Sequence, residues 1–250
     1  MTKSKTKTSL AHDEAVPMQK SDTPAMFSKI ASRYDLLNHL LSLNVDRLWR
    51  KELVRKAGLS GKAQVLDACT GTADVAIEFA KALPLSTVTG IDRSPGMLRV
   101  GQEKIARHNL HDRVSLYEGD VLAIPFGDER FDVVSIAFGL RNLPDYSRGV
   151  AEMVRVLKPG GRLLILEFSP PSRGIYLKAY NFYLQNVIPV IGGLVSGSRE
   201  AYRYLASSIG DFLPRERIVD LMGRAELDRI ETKKMAGGIA HILRGERRLT

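Results

Sequence analysis

The stretch Val65-Leu66-Asp67-Ala68-Cys69-Thr70-Gly71-Thr72-Ala73-Asp74, followed by Thr87-Val88-Thr89-Gly90-Ile91-Asp92, decides the fold. An apolar run ends in a turn of small residues. A helical pattern follows, and a second apolar run closes on an acid about twenty positions after the turn. This is the front half of a nucleotide-binding βαβ unit. The small turn lets a ligand approach the backbone, and Asp92 at the tip of the second strand can accept hydrogen bonds from both hydroxyls of a ribose. The pattern predicts a ligand that carries an adenosine.

Outward from this unit, strands and helices keep alternating. The chain predicts strand 64–68, helix 74–83, strand 87–92, helix 95–108, strand 114–118, strand 131–137, helix 146–157 and strand 161–168. Such alternation implies a mostly parallel sheet with helices on both faces. Ser94-Pro95 supplies an N-cap followed by proline at the first helical position, and Lys158-Pro159-Gly160-Gly161 reads as a helix stop. Before the unit, Pro24 to Ala57 is helical in pattern, interrupted at Asn38, Ser42 and Asn44. After Phe168 the alternation lapses and Pro170-Pro171 opens a helical insertion, with a further helix from Pro214. Two closely spaced strand-like runs, Asp228–Lys234 and Gly238–Arg244, end the chain as an antiparallel hairpin, because a parallel return needs a longer crossover. The expected organisation is a disordered polar tail over 1–23 and one domain over 24–250. Within it, 24–60 forms a helical cap and 170–225 an insertion or lid.

Composition bounds the class. The 250 residues are 44% hydrophobic, enough for one full core. Lys+Arg 37 against Asp+Glu 28 leaves a formal charge of +9, which suits an anionic partner such as a lipid surface or nucleic acid, or is simply a solvated basic surface. The single cysteine, Cys69, excludes an internal disulfide and sits where the turn needs a small side chain. Residues 1–22 hold no apolar stretch of the kind a secretory signal has. The most apolar later segment, Tyr176 to Val195, is broken by Lys178, Pro189 and Gly192-Gly193. It falls short of the roughly 18 apolar residues a membrane span needs. These features predict a cytoplasmic protein, with peripheral contact at the inner face of the membrane as the alternative to a wholly dissolved one.

The turn also speaks to the ligand's charge. A dinucleotide site wants Gly-x-Gly-x-x-Gly around a pyrophosphate, whereas this turn holds one glycine between Asp67 and Asp74. Two carboxylates repel a pyrophosphate and suit a ligand with a cationic end, such as S-adenosylmethionine. Glu118-Gly119-Asp120-Val121 then ends the third strand with a carboxylate for an adenine amine and a backbone for a ring nitrogen. Asp67, Thr72, Asp92 and Asp120 stand at successive strand ends, the edge where such sheets bind ligands.

At this point the chain resembles a class I S-adenosylmethionine-dependent methyltransferase, through Val65–Asp74, Gly90–Asp92, Asp120-Val121, Phe131–Ala137 and Leu157–Gly161. More narrowly it resembles the ubiquinone/menaquinone biosynthesis C-methyltransferase family. That likeness is carried by Phe27–Asp35, Phe138-Gly139-Leu140-Arg141-Asn142, Ser207-Ser208-Ile209 and Gly238–Gly245, within about residues 24–247. The resemblance implies a Rossmann-like fold and C-methylation of a polyprenylated quinol. It implies Thr72, Asp92 and Asp120-Val121 as contacts to S-adenosylmethionine, beside Asp67, which the charge of the turn already puts there, and Ala137, which could contact it through its backbone. Many members carry serine where this chain has Ala137, so a hydroxyl contact there is lost. Gly71-Thr72-Ala73-Asp74 is similar to menaquinone-pathway members, which points to demethylmenaquinol as the acceptor. Another phenol, a sterol or a small metabolite is the alternative acceptor.

The implied chemistry defines further candidates. An attacking ring carbon becomes more nucleophilic when its neighbouring hydroxyl is deprotonated, so a base or a cation beside the phenolate lowers the barrier. Arg141 is the candidate for that cation, acting directly or through water. Tyr34 could orient the quinol or relay a proton, and Asn142 could hold a quinol oxygen or shape the loop. His241 is a weaker candidate base, remote in sequence from the rest. No cluster has metal-ligand spacing, so no metal is expected, and the acidic site argues against nucleic acid as the partner. The apolar residues of 176–191 could cover a prenyl tail, dip into a membrane surface, pack as core or form a homodimer interface.

Overall fold

A computed structural model describes residues 23–42, 44–169, 204, 208–210 and 212–249. The expected tail and most of the insertion, including 176–195, lie outside the described residues. Helices α1 (Thr23–Leu41) and α2 (Asp46–Lys56) precede β1 (Gln64–Ala68), α3 (Asp74–Ala82), β2 (Thr87–Asp92), α4 (Pro95–Arg107) and β3 (Val114–Glu118). Then come β4 (Phe131–Ala137), α5 (Tyr146–Arg155), β5 (Leu157–Phe168), α6 (Arg215–Arg224), β6 (Leu227–Met235) and β7 (Ala240–Arg247).

The seven strands form one sheet in the order β3-β2-β1-β4-β5-β7-β6. The first five are parallel, and β7 runs antiparallel to both β5 and β6. Chain order therefore reverses between β1 and β4, and the crevice outside their carboxyl ends is where such sheets bind ligands. The register places Ala68 beside Ile91 and Ile136, and Asp92 beside Glu118. The tips of β1 to β4 therefore open onto one edge.

Both faces of the sheet are buried, as its parallel strands require. Val65, Val133 and Leu164 turn to one apolar layer with α1 to α4, while their neighbours Leu66, Val134 and Leu163 turn to a second layer with α5 and α6. The first layer extends the expected role of the N-terminal helices. Leu53 of α2 is fully buried, and the Trp49 ring meets Phe168 at 5.9 Å and Phe138 at 6.4 Å. α2 is thus a layer helix, and α1 reaches over the sheet edge. Helix α5 ends two residues before the expected boundary, and β5 starts at Leu157 rather than at Gly161. Leu157 pairs with Phe131 and the ladder resumes at Arg162 with Val133, so the Pro159-Gly160 segment is absorbed as an irregularity inside the strand.

Candidate active site

The turn after β1 is shaped by backbone conformations that side chains avoid. Cys69, Gly71 and Ala73 have φ of 52°, 55° and 65°, and Phe138 at the tip of β4 has φ of 57°. Non-glycine residues held in this region mark functional turns whose surroundings over-determine them. Gly139 is required beside them, because a Cβ there would sit 2.5 Å from Cys69 Cβ. A Cβ on Gly90 would likewise meet Thr70 Oγ1 at 2.8 Å. Glycine at these two points lets β2 and β4 close on the turn.

The carboxylates divide into two environments. Asp92 Oδ2 accepts the Gly71 N–H and its Oδ1 accepts the Ser94 N–H, each at 2.9 Å. Each oxygen keeps acceptor capacity towards the crevice, and burial raises the Asp92 pKa despite those donors. Asp67 is buried at the floor, accepting from Thr70 Oγ1 at 2.7 Å and Ser135 Oγ at 2.8 Å. Burial outweighs both hydroxyls and pushes its carboxyl up to about 6. A buried carboxylate short of counter-charge fits a cationic ligand and opposes an anionic one. Burial, reinforced by Asp92 and Asp67, pushes the Cys69 thiol up as well, which leaves it a packing residue.

An open cleft lies over the strand tips, enclosing about 670 Å³ of space that is continuous with solvent. Asp92, Asp120, Val121 and Ala137 line it from the sheet, and Asn142 lines it from the turn after β4. Thr23, Pro24 and Phe27 of α1 complete the wall. The Asp120 carboxylate accepts the Leu122 N–H at 2.9 Å and has Arg93 Nε 3.7 Å away. A smaller adjoining cavity of about 350 Å³ shares Cys69, Gly71, Ala137 and Phe138 with the cleft and includes Asp67, Thr72 and Arg50.

Three expected roles change. Arg141 does not line the cleft. It is 1% exposed in a 3-10 turn over Leu140–Asn142, where Nη1 donates to Glu167 Oε1 at 2.7 Å and to the Phe138 carbonyl at 2.5 Å. A charge at that depth is held by its buried partner Glu167, which opposes direct contact of the guanidinium with a phenolate in the cleft and leaves action through water as the other form of that expectation. The Thr72 hydroxyl is turned from the large cleft, donating to Asp35 Oδ1 at 2.5 Å. His241, on β7, has no partner for Nδ1 among the described residues and does not line the cleft, and burial lowers its pKa. Tyr34 lies on α1, and its side chain is outside the described residues.

Other residues enter the site unannounced. Tyr204 donates its hydroxyl to Asn142 Oδ1 at 2.9 Å and meets the Phe27 ring edge-on at 6.4 Å, joining insertion, turn and cap. Its nearness in sequence to Ser207-Ser208-Ile209 was the available signal. Glu167 was signalled only as a charge inside the apolar run Leu163–Phe168. Lys104, described below, had no local signature.

Comparison with known proteins places the chain in a family. Residues 16–247 match the ubiE/COQ5 methyltransferase family. The chain is 45% identical to the ubiquinone/menaquinone biosynthesis C-methyltransferase UbiE of Geobacter sulfurreducens, over 90% of this chain and 88% of that protein. It is 44% identical to the demethylmenaquinone methyltransferase of Deinococcus radiodurans, over 89% and 91% of the two chains. Among solved structures, a SAM-dependent methyltransferase from Aquifex aeolicus shares the fold with a TM-score of 0.59 at 17% identity, over 89% of this chain and 97% of that one.

Proposed function

The chain belongs to the ubiE/COQ5 methyltransferase family, and from that premise we propose that it C-methylates a polyprenylated quinol, converting demethylmenaquinol to menaquinol. The observation that carries the reading is that one cleft is lined both by the acids Asp92 and Asp120 and by Asn142 of the Phe138–Asn142 turn. S-adenosylmethionine, when bound, supplies an electrophilic methyl group on a sulfonium. The residues fit it: Asp92 would accept from the ribose, Asp120 and the Val121 backbone would hold the adenine, and Asp67 in the adjoining cavity, pushed up by burial, would suit a cationic end.

What the protein contributes to methyl transfer is chiefly placement of the ring carbon at attack distance from the methyl group. Asn142, fixed by Tyr204, offers its amide group to a quinol oxygen. Arg141 acts one step back: with Glu167 it holds the turn that presents Asn142. The prenyl tail calls for an apolar exit, and we assign peripheral lipid contact to the same reading. No helix among the described residues is long and apolar enough to cross a membrane.

The test is transfer of a labelled methyl group from S-adenosylmethionine to demethylmenaquinol, a benzoquinol precursor, a simple phenol and a sterol in detergent. Ring methylation of demethylmenaquinol, found by mass spectrometry, is the expected result. Transfer to the phenol or sterol with none to either quinol overturns the proposal.

A further inference from the structure

Helix α1 supplies one wall of the cleft, so its position sets the distance between acceptor and methyl donor. It is pinned at two places. Near its start, Ser28 Oγ lies 2.7 Å from Ser94 Oγ, and a Cβ on Gly96 would strike the Ser28 Cα at 2.8 Å. Further along, Asp35 grips the cofactor turn itself. Its Oδ1 accepts from Thr72 Oγ1 at 2.5 Å, and its Oδ2 accepts from Lys104 Nζ of α4 at 2.9 Å.

The charges at the second pin are arranged unusually. Lys104 Nζ also contacts Asp74, the first residue of α3, and lies 3.2 Å from Thr72 Oγ1. One ammonium therefore stands between two partly buried carboxylates, one on the cap and one on the turn's helix. Arg50 Nη2 lies 3.5 Å from Asp74 on its other side, so without Lys104 it is Asp35 that loses its ammonium and faces the Asp74 carboxylate across the joint. Thr72, whose backbone continues Gly71 into α3, is held by the same two groups.

We propose that Asp35 and Lys104 are positioning residues for methyl transfer: the bridge Asp35–Lys104–Asp74, acting with Thr72, fixes the cap helix to the cofactor turn and so sets the attack geometry. The proposal rests on the methyl-transfer reading above. Geometry errors of about 1 Å cost up to about a hundredfold in rate, so the joint acts on the chemical step more than on donor binding.

The experiment uses the full chain with Lys104→Met, Lys104→Arg, Asp35→Asn and the double variant Asp35→Asn/Lys104→Met. S-adenosylhomocysteine binding by calorimetry counts correctly folded sites, and kcat is measured at saturating donor and demethylmenaquinol. Lys104→Met is expected to lower kcat at least about tenfold while affinity for S-adenosylhomocysteine stays within about threefold. Adding Asp35→Asn removes the repulsion yet keeps an acceptor for Thr72, so the double variant recovers most of the loss. Lys104→Arg retains the charge and stays within about threefold of wild type. Unchanged kcat in Lys104→Met, or a double variant worse than the single, overturns the proposal. A Lys104→Arg loss as deep as that of Lys104→Met also overturns it. Wild-type protein that fails to bind S-adenosylhomocysteine defeats the donor reading instead.

Discussion

Two carboxylates of the cofactor edge do different work, and each can be tested alone. Asp92 is braced by two backbone N–H groups and keeps acceptor capacity towards the cleft. Asp92→Ala deletes two charge-assisted acceptors, each worth about 1.5–3 kcal/mol, so S-adenosylhomocysteine affinity should fall about a hundredfold or more by calorimetry. Asp67 titrates in the measurable range because burial pushes its carboxyl up to about 6. A cationic ligand stabilises its charged form. Below pH 6 the ligand must displace a proton, so donor affinity should fall by up to about tenfold per pH unit, and above pH 7 it should be flat. Asp67→Asn should erase that slope. A profile identical in wild type and variant would mean that Asp67 does not face the ligand's cation. Asp92 was readable from its place twenty residues after the turn. That Asp67 is charge-poor was not, since burial depends on Thr70, Ser135 and the strands packed around it.

The elements were legible where local pattern governs them. Strands β1, β2, β3 and β4 fall where apolar runs end in small or acidic residues, and Ser94 caps α4 as its sequence implies, accepting the Met97 N–H at 3.4 Å. The 3-10 turn Leu140–Asn142 was not legible, because its conformation is imposed from outside. Phe138 is held at positive φ, Gly139 is pressed on Cys69, and Arg141 is tied to Glu167 across the sheet. Arg141→Ala leaves Glu167 buried and unpaired, at a cost of about 3–5 kcal/mol. The melting temperature and turnover should therefore fall together, and the paired change Arg141→Met/Glu167→Gln, which removes both charges yet keeps an acceptor for the Arg141 and Phe168 N–H groups, should restore much of the stability. Loss of turnover at unchanged melting temperature would return Arg141 to direct contact with the acceptor.

At the scale of the whole molecule, the formal charge of +9 is spread over a chain whose expected acceptor resides in lipid. Vesicles containing anionic lipid should therefore sediment the protein at low ionic strength and release it near 1 M salt, where the Debye length is about 3 Å. Equal binding to neutral vesicles would mean that insertion of apolar residues, not charge, provides the attachment, and no binding to either would remove the lipid contact. The amino-acid sequence by itself determined the alternating strands and helices, the closing antiparallel hairpin, the cofactor edge and the family. Each of these rests on periodicity, turn chemistry or short motifs within a few dozen residues. Only the tertiary structure decided which charges meet. It buried Arg141 against Glu167, turned Thr72 to Asp35, and set Lys104 between acids from two other helices. A side chain's partner across a packed sheet or between helices is chosen by long-range packing and by the cost of leaving a buried charge alone, and neither leaves a trace in local spacing.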